Sequence, residues 1–357
     1  MNRRKTSSAA FAVALSLGLN MAAAAVEHQP APAVRTPEQI LAESDGRPTK
    51  TAARELFINA SEWDPDHQNV RESSLQALIT LGAPALEHLL AEFLPSLDVR
   101  RRVTLDKAAA GIGAAAAAPL LPYVRSRDLE TRRHAIALLG TVCHGAQQTD
   151  ACATGPFPGD RAISNSLRRA LKHERDDSVL WTLLASAGKL RDPGWISELA
   201  PFLAHSAEPV RLQAAAGLAA IPDPRAATAL LAALDDPLGS VRQAAVVGLS
   251  GPALAAAGFA ATVNAAQTAT PGSQRQLLAL DALARIIRPA EDAAQPLAPE
   301  QCALLAGLAG SIAGHAADDG LLLAYLAPLL PFASPELTAQ LAASPAADHP
   351  FAAGRLP

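Results

Sequence analysis

At 357 residues the chain has room for one or two globular domains or for one long array. Half of it is hydrophobic but only 4% is aromatic, and no Val/Ile/Thr-rich alternating run is present. That excludes a sheet-built core and points to all-α structure, in which small side chains let helices approach closely.

Residues 1–25 have the three parts of a secretory signal peptide. Arg3, Arg4 and Lys5 make a positive start, residues 9–19 an apolar run of 11, and Ala23, Ala24 and Ala25 the small residues that a signal peptidase reads. The run falls short of the roughly 20 apolar residues that span a bilayer. A mature chain starting at Val26, in the periplasm or outside the cell and with no transmembrane segment, is the expectation. Sec and twin-arginine export both stay open, although Lys5-Thr6-Ser7 stands where the second route wants an apolar pair. Residues 26–60 read as a tether and amino-terminal capping helices, at 37–43 and 49–60, with Gly46-Arg47-Pro48 breaking the chain between them.

Residues 61–290 repeat. Val179, Val210 and Val241 lie 31 apart, and the apolar positions behind them match: Leu183, Leu184 and Ala187; Ala214, Ala215 and Leu218; Ala245, Val246 and Leu249. Offsets of 0, 4, 5 and 8 trace one face of a helix. A second run, with Ile196, Leu199 and Leu203 falling on Ala227, Leu230 and Leu234, makes each unit a helix pair that buries its apolar faces only by stacking on its neighbours. Further copies start at Val70, Val99, Thr131 and Gln274. The step from Thr131 to Val179 is 17 residues too long, and the excess falls in a loop insertion at 143–159. Residues 291–343 read as degenerate repeats or a cap, with helices near 300–313, 321–330 and 335–341, and 344–357 as a frayed tail.

Asp98, Asp128, Asp177 and Asp236 precede first helices as caps, and Pro84, Pro193 and Pro224 start second helices, where a missing N–H costs nothing. Arg71, Arg100, Arg132, Arg211, Arg242 and Arg275 follow the anchors as a column that Leu180 interrupts. The column reads as pairing between each Arg and a loop Asp of an adjoining unit, with a binding ladder as the alternative.

The pattern Asp-x-x-Val-Arg-x-x-Ala-Ala-x-x-Leu, clearest from Glu208 through Val210, Arg211, Ala214 and Ala215 to Leu218, resembles HEAT repeats of the short kind first described in bilin lyases, across residues 69–288. The resemblance implies a right-handed α-solenoid that serves as a binding surface, with second helices lining its concave face. Two enzyme types share such arrays. One holds iron through repeated His-Glu pairs, of which this chain has only His173-Glu174; the other acts on phycobiliproteins inside photosynthetic cells, which an export signal argues against.

The overall charge is −4, which does not favour nucleic acid, but residues 100–175 carry 13 Lys/Arg against 6 Asp/Glu and residues 176–357 carry 9 against 16. Arg168, Arg169 and Lys172 with Arg125 and Arg127 form a candidate basic cluster in one groove, suited to an acidic surface on another protein; plain solvated helix faces are the alternative. Trp195 and Trp181 are candidate exposed anchors, Trp181 being the better suited to packing between repeats. Cys143 and Cys152, in an oxidising compartment, read as a disulfide closing the insertion, with free thiols or a metal site using His144 as alternatives. No catalytic motif, metal-ligand spacing or cofactor loop is present. A non-catalytic scaffold for protein–protein interaction, adaptor or inhibitor, is the expected function. An envelope enzyme subunit or a module for anionic glycan or lipid is the alternative.

Overall fold

The computed structural model describes residues 34–63, 68–147, 160–292 and 297–353, and every regular element among them is helical. The first half holds α1 (Pro37–Glu43), α2 (Lys50–Ser61), α3 (Gln68–Leu81), α4 (Ala83–Phe93), α5 (Val99–Ile112), α6 (Ala117–Leu120), α7 (Leu129–Gln147), α8 (Asp160–His173) and α9 (Asp177–Leu190). The second holds α10 (Ile196–Leu199), α11 (Glu208–Ala219), α12 (Pro224–Ala232), α13 (Gly239–Leu249), α14 (Phe259–Thr268), α15 (Gln274–Asp292), α16 (Pro299–Ala316), α17 (Gly320–Leu326) and α18 (Pro335–Ala342). Several helices tighten into 3-10 turns at their ends, as at Leu121–Arg125 after α6 and Pro193–Trp195 before α10.

Odd-numbered helices pack on odd-numbered neighbours, from α1 on α3 to α15 on α17. Even-numbered ones form a second layer, α2 on α4 on α6 and then α10 on α12 through to α16 on α18, with α8 packed on the 3-10 turn at Leu121–Arg125. Between the layers one apolar core runs from Ile40 to Ala352. This is an all-α solenoid, and the alternation includes the segments that sequence reads as caps: α1–α2 and α17–α18 are helix pairs like the rest. The end of the chain is likewise no frayed tail as far as residue 353. Ala346 and Ala352 are buried, and the Ala346 N–H donates to the Ala317 carbonyl at 3.3 Å.

Where Val179, Val210 and Val241 anchor the pattern, the burial follows it residue for residue. At α5 and α15 it slips by one: the core positions are Thr104, Leu105 and Ala108, and Ala279, Leu280 and Leu283. Arg100 and Arg275 therefore hold anchor positions, and Arg101 and Gln276 hold the Arg column. Val99 attracts the register by being β-branched, yet it is 65% exposed at the helix start. The caps also shift. Asp98 and Asp128 accept helix N–H groups as expected, but α9 is capped by Asp176, and Leu238 holds the cap position of α13 with Asp236 two residues earlier.

A column of small residues sets how near the odd helices come. Gly140 of α7 meets Ser186 of α9, Gly188 of α9 meets Gly217 of α11, and Ala219 of α11 meets Gly248 of α13. A Cβ on Gly188 would lie 2.6 Å from the Gly217 Cα, so this crossing is backbone on backbone and only glycine fits. The members of each pair sit at offsets 9 and 7 from their anchors, so the repeat itself encodes the contact.

Helix α7 continues through Gln147, so the insertion begins later than 143. The signal peptide, the Asp64–His67 part of the α2–α3 connection, and the Cys143–Cys152 disulfide lie outside the described residues.

Candidate functional site

Helix α8 carries the centre of the expected basic cluster, and its periodicity splits that cluster in two. Ser164, Leu167, Arg168 and Leu171 recur at helical spacing toward the array, whereas Arg169 and Lys172 lie on the solvent side. Arg168 stacks over the Trp195 ring at 4.7 Å, with its Nε 3.0 Å from Glu198 Oε1 and its Nη2 3.7 Å from Asp192 Oδ2. The Nε–Glu198 contact lacks hydrogen-bond alignment and acts as an ion pair. Trp195 is 1% exposed, and its Nε1 donates to Ser164 Oγ at 3.1 Å. Neither residue is thus an exposed anchor: together they clamp α8 to the turn before α10. A tryptophan whose ring faces a cation and whose N–H finds a hydroxyl has every reason to stay inside. The remaining members, Arg125, Arg127, Arg169 and Lys172, are exposed. The turn bearing Arg125 packs against α8, which places these cations on adjoining elements of the even layer.

Four arginines of the column, Arg132, Arg211, Arg242 and Arg275, are spent internally. Arg132 donates from Nε and Nη2 to Glu174 at 2.7 and 3.3 Å while its Nη1 reaches the carbonyls of Ser126 and Arg127. Arg211 does the same with Asp236 at 2.7 and 3.2 Å and the carbonyls of His205 and Ser206. Each guanidinium fork ties its own loop to the carboxylate of the next loop, a charge-assisted bidentate pair. Arg242 holds its own loop through the Asp236 and Pro237 carbonyls, and Arg275 pairs with Asp235. Arg100 departs from the pattern and stacks on Trp63 at 5.7 Å. Glu174, His205 and Asp236 stand 31 apart, and all three accept the N–H two residues on. Where the column lacks its Arg, at Leu180, the facing position is His205, so donor and acceptor are absent together.

The odd layer presents a site that the sequence does not announce. Between α5, α7 and α9 lies a depression of about 360 Å³ lined by Arg102, Asp106, Arg133, His134, Trp181 and Lys189, among others. Trp181, the tryptophan better suited by sequence to packing between repeats, is 45% exposed at its edge. Burial raises the Asp106 carboxyl above its usual range against the opposing pull of Arg102 and Lys189. Burial likewise depresses His134, which Glu130 opposes from 3.9 Å. His134 is 8% exposed and its Nδ1 has no hydrogen-bond partner. The available signal was positional. Arg133 and Trp181 stand two residues after their anchors, and so does Arg102 once α5 is read in its corrected register, on the helix face opposite the core stripe.

A perturbed acid and a perturbed histidine in one pocket can mark catalysis, but here a single carboxylate lines the pocket with two threonines and no Ser or Cys. Among the described residues no group of three His, Cys, Asp or Glu is placed to hold a metal ion, and no single helix is long and apolar enough to cross a membrane.

Compared with known proteins, the chain matches no curated sequence. Among solved structures it is similar to Kap121p, at 16% identity over 85% of this chain and 36% of that one, with a TM-score of 0.48. It is also similar to an engineered protein, at 18% identity over 87% and 88% with a TM-score of 0.35. A third is the karyopherin Kap121p bound to the SUMO protease Ulp1p, at 16% identity over 85% and 34% with a TM-score of 0.42. The chain thus spans about a third of the length of Kap121p. The family description that matches is "HEAT repeats", over residues 164–250. That segment holds the anchors Val179, Val210 and Val241, the Gly188–Gly217 and Ala219–Gly248 crossings and the Arg211–Asp236 fork, and it is the part of the chain that matches HEAT repeats.

Proposed function

We propose that the chain is a non-catalytic HEAT-repeat scaffold, exported to the periplasm or the exterior, that binds another protein as an adaptor or inhibitor. The observation that carries this reading is the architecture itself. A double layer of helix pairs spends the polar groups that recur with its period on holding neighbours together and leaves its side-chain variety on the two outer faces, as binding arrays do. On the even layer Arg125, Arg127, Arg169 and Lys172 have no carboxylate partner among the described residues, which favours an acidic partner surface and salt-sensitive association. The apolar run and Ala23-Ala24-Ala25 support export. An inhibitor that neutralises an enzyme arriving in the periplasm is one concrete form.

Affinity capture from periplasmic extract, with the full chain expressed in its exported form as bait, tests both halves. A product beginning at Val26 with one stoichiometric protein partner, lost at moderate salt, is expected. Reversing charge at Arg169 and Lys172 should slow association several-fold at low salt while leaving the fold intact, since both are exposed. An uncut cytoplasmic product sinks the export reading, and retention of glycan or lipid without protein sinks the scaffold reading.

A further inference from the structure

The depression at Trp181 does not end there. Lys189 lines it and also lines a second depression of about 420 Å³ between α9, α11 and the segment that follows α13. The floor of the second is nearly side-chain-free, formed by Ala185, Gly188, Ala216, Gly217 and Ala220 with Ala253 at its end. Its existence follows from the small-residue column: residues chosen so that α9 and α11 touch backbone to backbone leave nothing above them to fill the outer face. The two depressions meet at Lys189 as a furrow on the face of the odd layer turned away from the core, aromatic and cationic at one end and floored by Ala and Gly, with Arg191 and Gln213 in its lining, at the other.

We infer that this furrow docks an extended segment of a protein partner that carries acidic residues next to small aliphatic ones. The inference rests on the scaffold reading and names a face for it other than the even layer. Two features select the occupant. Arg102, Arg133, Lys189 and Arg191 outnumber the lining acid Asp106, and only Arg133 is neutralised, by Glu130. The Ala/Gly floor takes small aliphatic side chains, while Lys189 and Arg191 in the same lining pair with a carboxylate beside them. From α5 to α13 is four helix spacings of about 8–10 Å each, a span of about ten extended residues.

The probe is a displayed library of random 12-residue peptides selected against the full chain. Enrichment of Asp or Glu beside Leu, Val or Ala is expected. The enriched peptide should lose at least about fivefold in affinity on Lys189→Glu and on Ala216→Arg, the latter filling an exposed floor position. Arg169→Glu on the even layer should leave its affinity unchanged. Thermal melts within a few degrees of the parent show that the variants fold. No enrichment, or peptides indifferent to both furrow variants, overturns the inference. So does a heparin or single-stranded DNA ligand that binds with the same sensitivities and displaces the peptide. A partner protein captured by the parent chain and equally by Lys189→Glu and Ala216→Arg leaves the scaffold standing and removes the furrow from it.

Discussion

Two neighbouring junctions of the odd layer are held by different physics. Between α11 and α13 the Arg211 fork grips Asp236, both side chains under a tenth exposed, and the small-residue crossing is the looser Ala219–Gly248. Between α9 and α11 the fork is missing, Leu180 and His205 standing in its place, and there the crossing is Gly188 on Gly217. One junction is fixed by a directional charged pair, the other by the closest approach of two backbones. A repeat array can exchange the two because each junction needs only enough surface and one feature that fixes register.

The comparison can be broken most severely at Gly188. Gly188→Val drives branched carbons into the Gly217 backbone and should destabilise the array by about 3 kcal/mol in denaturant unfolding. A loss under about 0.5 kcal/mol would show that the crossing is not what holds α9 to α11. Asp236→Ala comes next, at about 2 kcal/mol, because it leaves the Arg211 guanidinium and the Leu238 N–H without their acceptor. Hydrogen exchange at Leu238 should accelerate in that variant while exchange at Ala207 does not. Installing the missing fork is a smaller effect. Leu180→Arg and His205→Asp together should be more stable than the two single changes predict, by about 1 kcal/mol in a double-mutant cycle. Simple additivity would mean that the loops of this junction cannot bring the pair together.

The smallest effect is on pH dependence. Burial pushes Glu174 and Asp236 up, but the facing guanidinium and the N–H donors outweigh it, so both carboxyls titrate below their ordinary 4.5 and 3.8. A folded carboxyl that holds its proton less tightly than the unfolded one stabilises fully above its unfolded pKa and loses that stabilisation as pH falls toward the folded one. Stability should therefore drop below about pH 4.5, and Asp236→Ala should show a shallower drop than the parent. Asp106, raised by burial, has the opposite sign and works weakly against this loss.

Much of the architecture was legible in the residues because helix pairing in an array is a local matter. Offsets of 4, 5 and 8 name the core face, Pro84, Pro193 and Pro224 start the second helices, and the Leu180 interruption marks the junction without a fork. Misreadings arose where local identity misleads. A β-branched Val99 looks like an anchor but sits exposed at a helix start, and the Gly/Thr-rich run after Cys143 hides the last turns of α7. The terminal pairs lose the period yet keep the packing.

The site was legible only in part, and for a single reason. Sequence fixes which residues share a helix face, so Arg169 and Lys172 could be set apart from the core. It does not fix what arrives from the next helix. Of the two candidate anchors the chain favours Trp181 for packing between repeats, and the structure reverses that order: Trp195 is sealed because Arg168 and Ser164 converge on it, and Trp181 is open because α5 and α7 leave a depression beside it. The period of 31 determined the all-α solenoid, its two layers and its close crossings. The tertiary structure alone decided which cations are neutralised and which aromatic ring reaches solvent, since both depend on groups dozens of residues away.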